Sequence, residues 1–376
     1  MKRISVVFLI LGTCLAPTAW GQNVTCPPRV NWTEFLTIDT ARYNPCETVL
    51  DIDNAGSLGL KWSYSFGGGP SSPAVVNGVV YIGALDNNVY ALNSRNGALL
   101  WSYTTGNFVG SSPAVVNGAV YVGSEDGKLY ALNAKTGALL WSYTTGGPIY
   151  YSSPTVANGV VYIGSQDGKL YALNASTGAL LWSYASSGGW MYGPAVANGV
   201  VYVGSDDHNV YALNAKTGIL LWSYATGAFV ESSPAVANGV VYIGSSDNLF
   251  ALNAHTGTLL WSEPFGIGTS SPAVAKGVVY VDSGNSLEAL NAETGALLWT
   301  DNIFPSSFGG SPAVANGVVY IGGQYANDVY ALNASTGAQL WSYKVGSYIN
   351  SSPAVVNGMV YASSNYPARL YAFVLK

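Results

Sequence analysis

Charged residues are scarce in this chain. Asp, Glu, Lys and Arg together make up 9% of its 376 residues, against roughly 25% in an ordinary soluble domain. So little charge excludes a disordered chain, a charged coiled coil and a basic nucleic-acid binder. Cysteine (3), methionine (3) and histidine (2) are few as well, which leaves little from which to build a metal centre. Beyond the first two dozen residues no stretch reaches about 18 uninterrupted apolar residues, so no membrane-spanning helix is expected. What the chain does have is 45 glycines and 13% aromatic residues. With abundant Val, Tyr, Trp and Thr, that composition fits many short strands joined by tight turns.

The first residues read as a secretory leader. Lys2 and Arg3 precede an apolar run from Val6 to Leu15, followed by Ala19-Trp20-Gly21 before Gln22. A charged start, a short greasy core and small residues at the cut are the marks of a signal peptide. Residues 1–21 are therefore expected to be removed, leaving 12 basic against 19 acidic residues. Cys14 follows Thr13, where a lipid-attachment box wants Gly, Ala or Ser, which argues against a lipid anchor. The expected compartment is periplasmic or extracellular. Cys26 and Cys46 then remain, and an even pair in an exported chain is most simply a disulfide. Two free buried thiols are the alternative. The pair would staple a lead-in segment, residues 22–57.

The rest of the chain repeats. Prolines recur at Pro73, Pro113, Pro154, Pro194, Pro234, Pro272, Pro312 and Pro353, a mean spacing of 40 residues. Tryptophans keep the same beat at Trp62, Trp101, Trp141, Trp182, Trp222, Trp261, Trp299 and Trp341. Within one unit, Ser112-Pro113-Ala114-Val115-Val116 reads as a short strand, with Pro at its entrance where a missing N–H is tolerated. Asn117-Gly118 is a hairpin signal. Val120-Tyr121-Val122, Leu129-Tyr130-Ala131-Leu132 and Leu139-Leu140-Trp141-Ser142-Tyr143 supply three more strands, separated by turns at Glu125-Asp126-Gly127 and Asn133-Ala134-Lys135-Thr136-Gly137. Four antiparallel strands per 40 residues make a propeller blade. Small residues in the first strand suit the crowded axis. Leu, Trp and Tyr in the fourth suit the perimeter, so the eight tryptophans are read as core.

The chain ends count the blades. The last unit stops after Leu370-Tyr371-Ala372-Phe373, whereas Leu60-Lys61-Trp62-Ser63-Tyr64 is a fourth strand with no unit before it. An all-β, eight-bladed propeller over residues 58–376 is expected, closed by the amino-terminal strand completing the last blade.

Ala131-Leu132-Asn133-Ala134-Lys135-Thr136-Gly137-Ala138-Leu139-Leu140-Trp141 resembles the tryptophan-docking motif of pyrroloquinoline quinone (PQQ) type propellers, with Asn133 in place of the usual Asp. The lead-in residues Trp32-Thr33-Glu34-Phe35, Ala41-Arg42-Tyr43-Asn44-Pro45 and Asp53-Asn54 are similar to the lead-in of quinoprotein dehydrogenases. The resemblance implies the fold. It spans enzymes that hold PQQ with calcium and membrane-assembly proteins of the BamB type. The enzymes often carry a disulfide between adjacent cysteines, and this chain has no adjacent cysteines. The turns between second and third strands offer a tricarboxylate only Lys128, Lys169 and Arg369, on three different blades. No catalytic residue and no metal ligand is assigned. Asp86, Asp126, Asp167, Asp207 and Asp247 recur at one turn position, where Asp commonly bonds local backbone.

Divergence between the blades points to a binding face. The Asn-Gly and Thr-Gly turns, on one side of the disk, barely vary. On the other side the units differ at Phe108, Tyr150, Tyr151, Trp190, Tyr192, Phe229, Glu231, Phe308, Tyr348 and Asn350. Trp190, with Tyr150 and Phe229 from flanking blades, is expected to form an apolar centre, with Glu231 at its edge. The expected function is a non-catalytic, monomeric scaffold without a cofactor, binding a protein, peptide or glycan at the channel mouth. The alternative is a reduced quinoprotein that binds PQQ with calcium and oxidises an alcohol or sugar.

Overall fold

The computed structural model describes residues 26, 31–35, 41–284, 286–301, 310–323, 327–346 and 348–376. The leader, residues 1–21, lies outside the described residues, as does Phe308. The repeat folds as eight separate sheets, seven of four strands and one of five. The second blade is typical, with strands Ala114–Val116, Ala119–Gly123, Lys128–Asn133 and Leu139–Thr144. Each Asn-Gly turn holds both residues in the left-handed region, as at Asn117 (φ 50°) and Gly118 (φ 78°). That is the backbone a two-residue hairpin needs to match strand twist.

The ring closes as the chain ends require. Leu58–Ser65 pairs antiparallel with Ala368–Leu375, from Leu58 opposite Leu375 to Ser65 opposite Arg369. No blade is left with three strands, which removes an open edge for association.

Each repeated tryptophan joins one blade to the next. Trp101 Nε1 donates to the Ala134 carbonyl at 2.9 Å, and Trp141, Trp182, Trp222, Trp261 and Trp299 do the same to Ala175, Ala215, Ala254, Ala292 and Ala334. Trp62 reaches Ser94 and Trp341 reaches Leu58, so the chain of bonds runs through the closure. In seven blades the tyrosine of the second strand shares the acceptor, as where Tyr81 donates to Ala134 at 3.0 Å and Tyr280 to Ala334 at 3.1 Å. The glycine of the Thr-Gly turn lies against the same indole. At Gly137 (φ 72°) a Cβ would sit 2.7 Å from the Trp101 ring. Only glycine fits both that φ and that gap.

Two described stretches of the lead-in segment, residues 31–35 and 41–57, are built into the ring. Inner strands leave backbone N–H groups facing the channel, and buried donors need partners. Trp32 and Val75 exchange two bonds (2.8 and 2.7 Å), and Val115 donates to the Thr33 carbonyl at 2.7 Å. Val156 donates to Glu34 Oε2 at 3.1 Å. Further along, Val274 donates to Ala41 and Val314 to Arg42, where Tyr43–Asn44 adds a parallel fifth strand to Ala313–Ala315. Asn44 Nδ2 then donates to Val355 at 2.8 Å. Asn31 and Glu47 accept from the Asn-Gly turns at Asn77 and Gly358, so this plug sits on the Asn-Gly side of the disk. A disulfide joins Cys26 to Cys46, 20 positions apart.

Candidate functional site

With one end plugged, the channel opens on the face carrying the divergent turns. Two features organise that face. The first is the recurring aspartate. Asp126 Oδ1 accepts the Lys128 N–H at 3.0 Å, while Oδ2 accepts the Gly106 N–H of the preceding strand exit and the Tyr130 hydroxyl. Asp86 and Asp167 repeat the arrangement with Gly67 and Tyr90, and with Gly146 and Tyr171. Burial, reinforced by the carboxylate each one bonds, raises the pKa of these tyrosines. The carboxylates are taken up in holding loops. No group of three metal-ligating side chains occurs among the described residues.

The second feature is the Ser-Ser-Pro motif. The first serine accepts a second-strand N–H within its own blade: Gly83 donates to Ser71 Oγ, Gly123 to Ser111 and Gly164 to Ser152. The second serine links neighbouring blades around the channel. Ser72 N–H donates to Ser112 Oγ, Ser112 to Ser153, Ser233 to Ser271, Ser271 to Ser311, Ser311 to Ser352 and Ser352 back to Ser72. Gly193 interrupts this ring, and a Cβ there would lie 2.5 Å from Ser233 Oγ. Inside the ring is a cavity of about 150 Å³ bordered by Phe35, Tyr151, Glu231, Thr269 and Asn350. Behind Phe35 lies Arg42, buried, with its guanidinium 4.5 Å from the Phe35 ring and 5.8 Å from Trp32. Arg42 donates to the carbonyls of Pro312 (2.8 Å) and Phe35 (2.6 Å). Burial lowers its pKa to about 9. Its donors tie the plug to the ring, through the carbonyls of Phe35, Pro312 and Pro353.

The mouth widens into a cavity of about 450 Å³ whose wall includes Tyr150, Tyr151, Ser270, Asp282, Asn350 and Asn365. Tyr151 and Trp190 stack 5.9 Å apart at 19°, with Tyr150 edge-on to Tyr151 at 4.4 Å. Tyr151 and Trp190 stay 52% and 39% exposed. Phe229 packs against His208, 4.9 Å away, instead of joining this stack. Phe108 and Tyr348 are exposed on other blades.

The residues beside Trp190 behave differently from their neighbours in sequence. Met191 is buried and takes the place of Val109, Ile149 and Val230: all four donate their N–H to the carbonyl just past a second strand. Tyr192 is buried too, and its hydroxyl donates to Asp206 at 2.9 Å with Glu231 a second acceptor at 3.4 Å. Burial, then repulsion by Asp206, raises the Glu231 pKa, and the Tyr192 bond works against that rise.

Two residues of the wall were not singled out from the sequence. Asp282 ends a second strand where other blades have Gly83, Gly123, Gly164, Gly204, Gly244 and Gly322. Ser270 is buried, and its hydroxyl finds no partner among the described residues. Comparing the repeats column by column exposes Asp282. Ser270 keeps the repeat residue, and its difference lies in the hydrogen bonding alone.

The chain matches the family model described as outer membrane protein assembly factor BamB over residues 32–189, 186–307 and 283–373. It is similar to the quinohemoprotein alcohol dehydrogenase ADH-IIG of Pseudomonas putida, 40% identical over 77 residues, which is 19% of this chain and 11% of that one. The match thus spans about a tenth of that relative's length. A solved structure of quinohemoprotein alcohol dehydrogenase ADHIIG from Pseudomonas putida HK5 superposes with a TM-score of 0.81 at 20% identity, over 92% of this chain and 80% of the other. BamB from Moraxella catarrhalis superposes with a TM-score of 0.72 at 20% identity, over 85% and 98%. At these identities the structures share the fold.

Proposed function

The chain belongs to the family described as outer membrane protein assembly factor BamB, and from that premise we propose that it is an exported, non-catalytic scaffold. It holds a partner on the divergent face, around the channel mouth. The observation that carries this reading is the exposed Tyr151–Trp190 stack at the rim of a funnel closed from the opposite side. An exposed aromatic pair beside a cavity is what an interface anchor requires. Export is supported by the leader-like start and by the disulfide. No helix among the described residues is long and apolar enough to cross a membrane.

A second reading, a reduced quinoprotein using PQQ and calcium, draws on the match to the alcohol dehydrogenase. The lining does not suit that cofactor. PQQ carries three carboxylates, whereas the two cavities present Glu231 and Asp282 and no Lys or Arg among their described lining residues. The scaffold reading is tested by photocrosslinking in the exporting cell. A benzophenone residue at Trp190 is expected to trap a discrete partner, and one at Lys135, on the opposite face, is not. Equal trapping from both positions would remove the support for this face.

A further inference from the structure

We infer that the ligand taken at the channel mouth is a neutral, polyhydroxylated one, the end of a glycan, with the exposed ring of Tyr151 as its stacking surface. This rests on the reading of the mouth as the binding face and names the chemistry it selects. The cavity of about 450 Å³ falls within the ~300–1,000 Å³ typical of small-ligand sites.

Its wall is polar without being cationic. Lys and Arg are absent from the described lining residues, and Arg42 beneath the floor spends its donors on carbonyls. An anionic ligand would meet the carboxylates of Glu231 and Asp282, with no Lys or Arg among the described lining residues. The ring serines whose Oγ accepts a neighbouring N–H, such as Ser112 and Ser352, keep their own hydroxyl protons to donate. Asn350 and Asn365 both donate and accept. Glu231 and Asp282 accept. A sugar, whose hydroxyls donate and accept in turn, suits such a mixture.

Two details sharpen the match. The Tyr151 ring is fixed on two sides, by Trp190 at 5.9 Å and Tyr150 at 4.4 Å, yet is half exposed. A flat, pre-set aromatic face beside hydroxyl-binding groups is what the C–H face of a pyranose packs on. Asp282 puts a carboxylate where six other blades have glycine, and its Oδ1 accepts the Gly284 N–H at 2.8 Å.

The test is calorimetric titration of the purified, disulfide-intact chain with cellotetraose, maltotetraose, chitotetraose and mannotetraose. Tetragalacturonate serves as the anionic probe and tetralysine as the cationic one. At least one neutral saccharide is expected to bind, and tetragalacturonate is not. Tyr151→Ala should weaken that binding by about tenfold or more, as loss of a central aromatic contact does. Tyr151→Phe should retain it, and Asp282→Asn should weaken it. Melting curves of each variant establish that the ring is intact. If no neutral saccharide binds, or if binding ignores both Tyr151 and Asp282, the inference is overturned. Tyr151-dependent binding of tetralysine alone would overturn the glycan while leaving the mouth as the binding face. Crosslinking from Trp190 that traps nothing would instead remove the parent reading.

Discussion

Glu34 makes the plug sensitive to pH, and the effect has a definite sign. Its carboxyl is buried in the channel and receives one bond, from the Val156 N–H. Burial raises its pKa from the ordinary 4.5 to about 8, with the Val156 bond opposing. Between those values the folded protein holds a proton that the unfolded chain has released. Stability therefore falls as pH rises from about 4.5 to about 8, and is level on either side. At about 1.4 kcal/mol per unit, the full shift sets an upper limit of ~5 kcal/mol. Water entering the plug lowers this, so ~2–5 kcal/mol is expected. Glu34→Gln keeps the shape and an acceptor and cannot ionise. The assay is urea denaturation followed by tryptophan fluorescence at intervals from pH 5 to pH 9. The variant should match the parent near pH 5 and exceed it increasingly towards pH 8. A difference that stays constant across the range would mean that Glu34 is ionised and satisfied, and would refute the account of a dry plug.

Other consequences follow from named contacts. Tyr280 donates to the Ala334 carbonyl, whereas the equivalent Tyr320 hydroxyl is buried without a partner among the described residues. Tyr280→Phe should cost about 1 kcal/mol and Tyr320→Phe nothing or a slight gain, read from denaturation midpoints; equal losses would contradict the pairing. Removing residues through Ser65 takes away the fourth strand of the last blade, and should produce aggregation or a large drop in melting temperature. An unchanged melting temperature would contradict closure through that strand. Replacing Cys26 and Cys46 by Ser lifts a loop constraint worth about 3 kcal/mol. Limited proteolysis should then cut within residues 22–57 sooner than in the parent, while the blades persist. Reactive thiols at both positions in the native protein would contradict the bridge.

The ring was legible in the sequence and its interior was not. Spacing of Pro73 to Pro353 and Trp62 to Trp341 sets the number of blades, because each unit repeats one set of contacts. The placing of residues 32–35 and 41–44 in the channel leaves no such mark. Its partners are mainly backbone groups of Val75, Val115, Val274 and Val314, which any inner strand supplies. The candidate site was half legible. Tyr151 and Trp190 stand out as bulky departures from the repeat and prove exposed. Counting back from the proline, however, places Met191 at three residues, Val109 at four and Ile149 at five, because the loops before these strands differ in length. Backbone bonding restores the register and puts Met191 in the core. Phe229 was grouped with Trp190 by position along the repeat, but His208, a residue of a neighbouring turn, takes its ring.

The claim that this propeller serves as a scaffold and not as a quinone enzyme is tested most directly by titrating PQQ into the purified chain, with and without calcium. Binding is followed by quenching of tryptophan fluorescence and by the cofactor's absorbance after gel filtration. A wall with Glu231 and Asp282 and no Lys or Arg among its described lining residues predicts no saturable binding and no cofactor carried through the column, whether or not calcium is added. One equivalent of PQQ retained in a calcium-dependent manner would contradict the account.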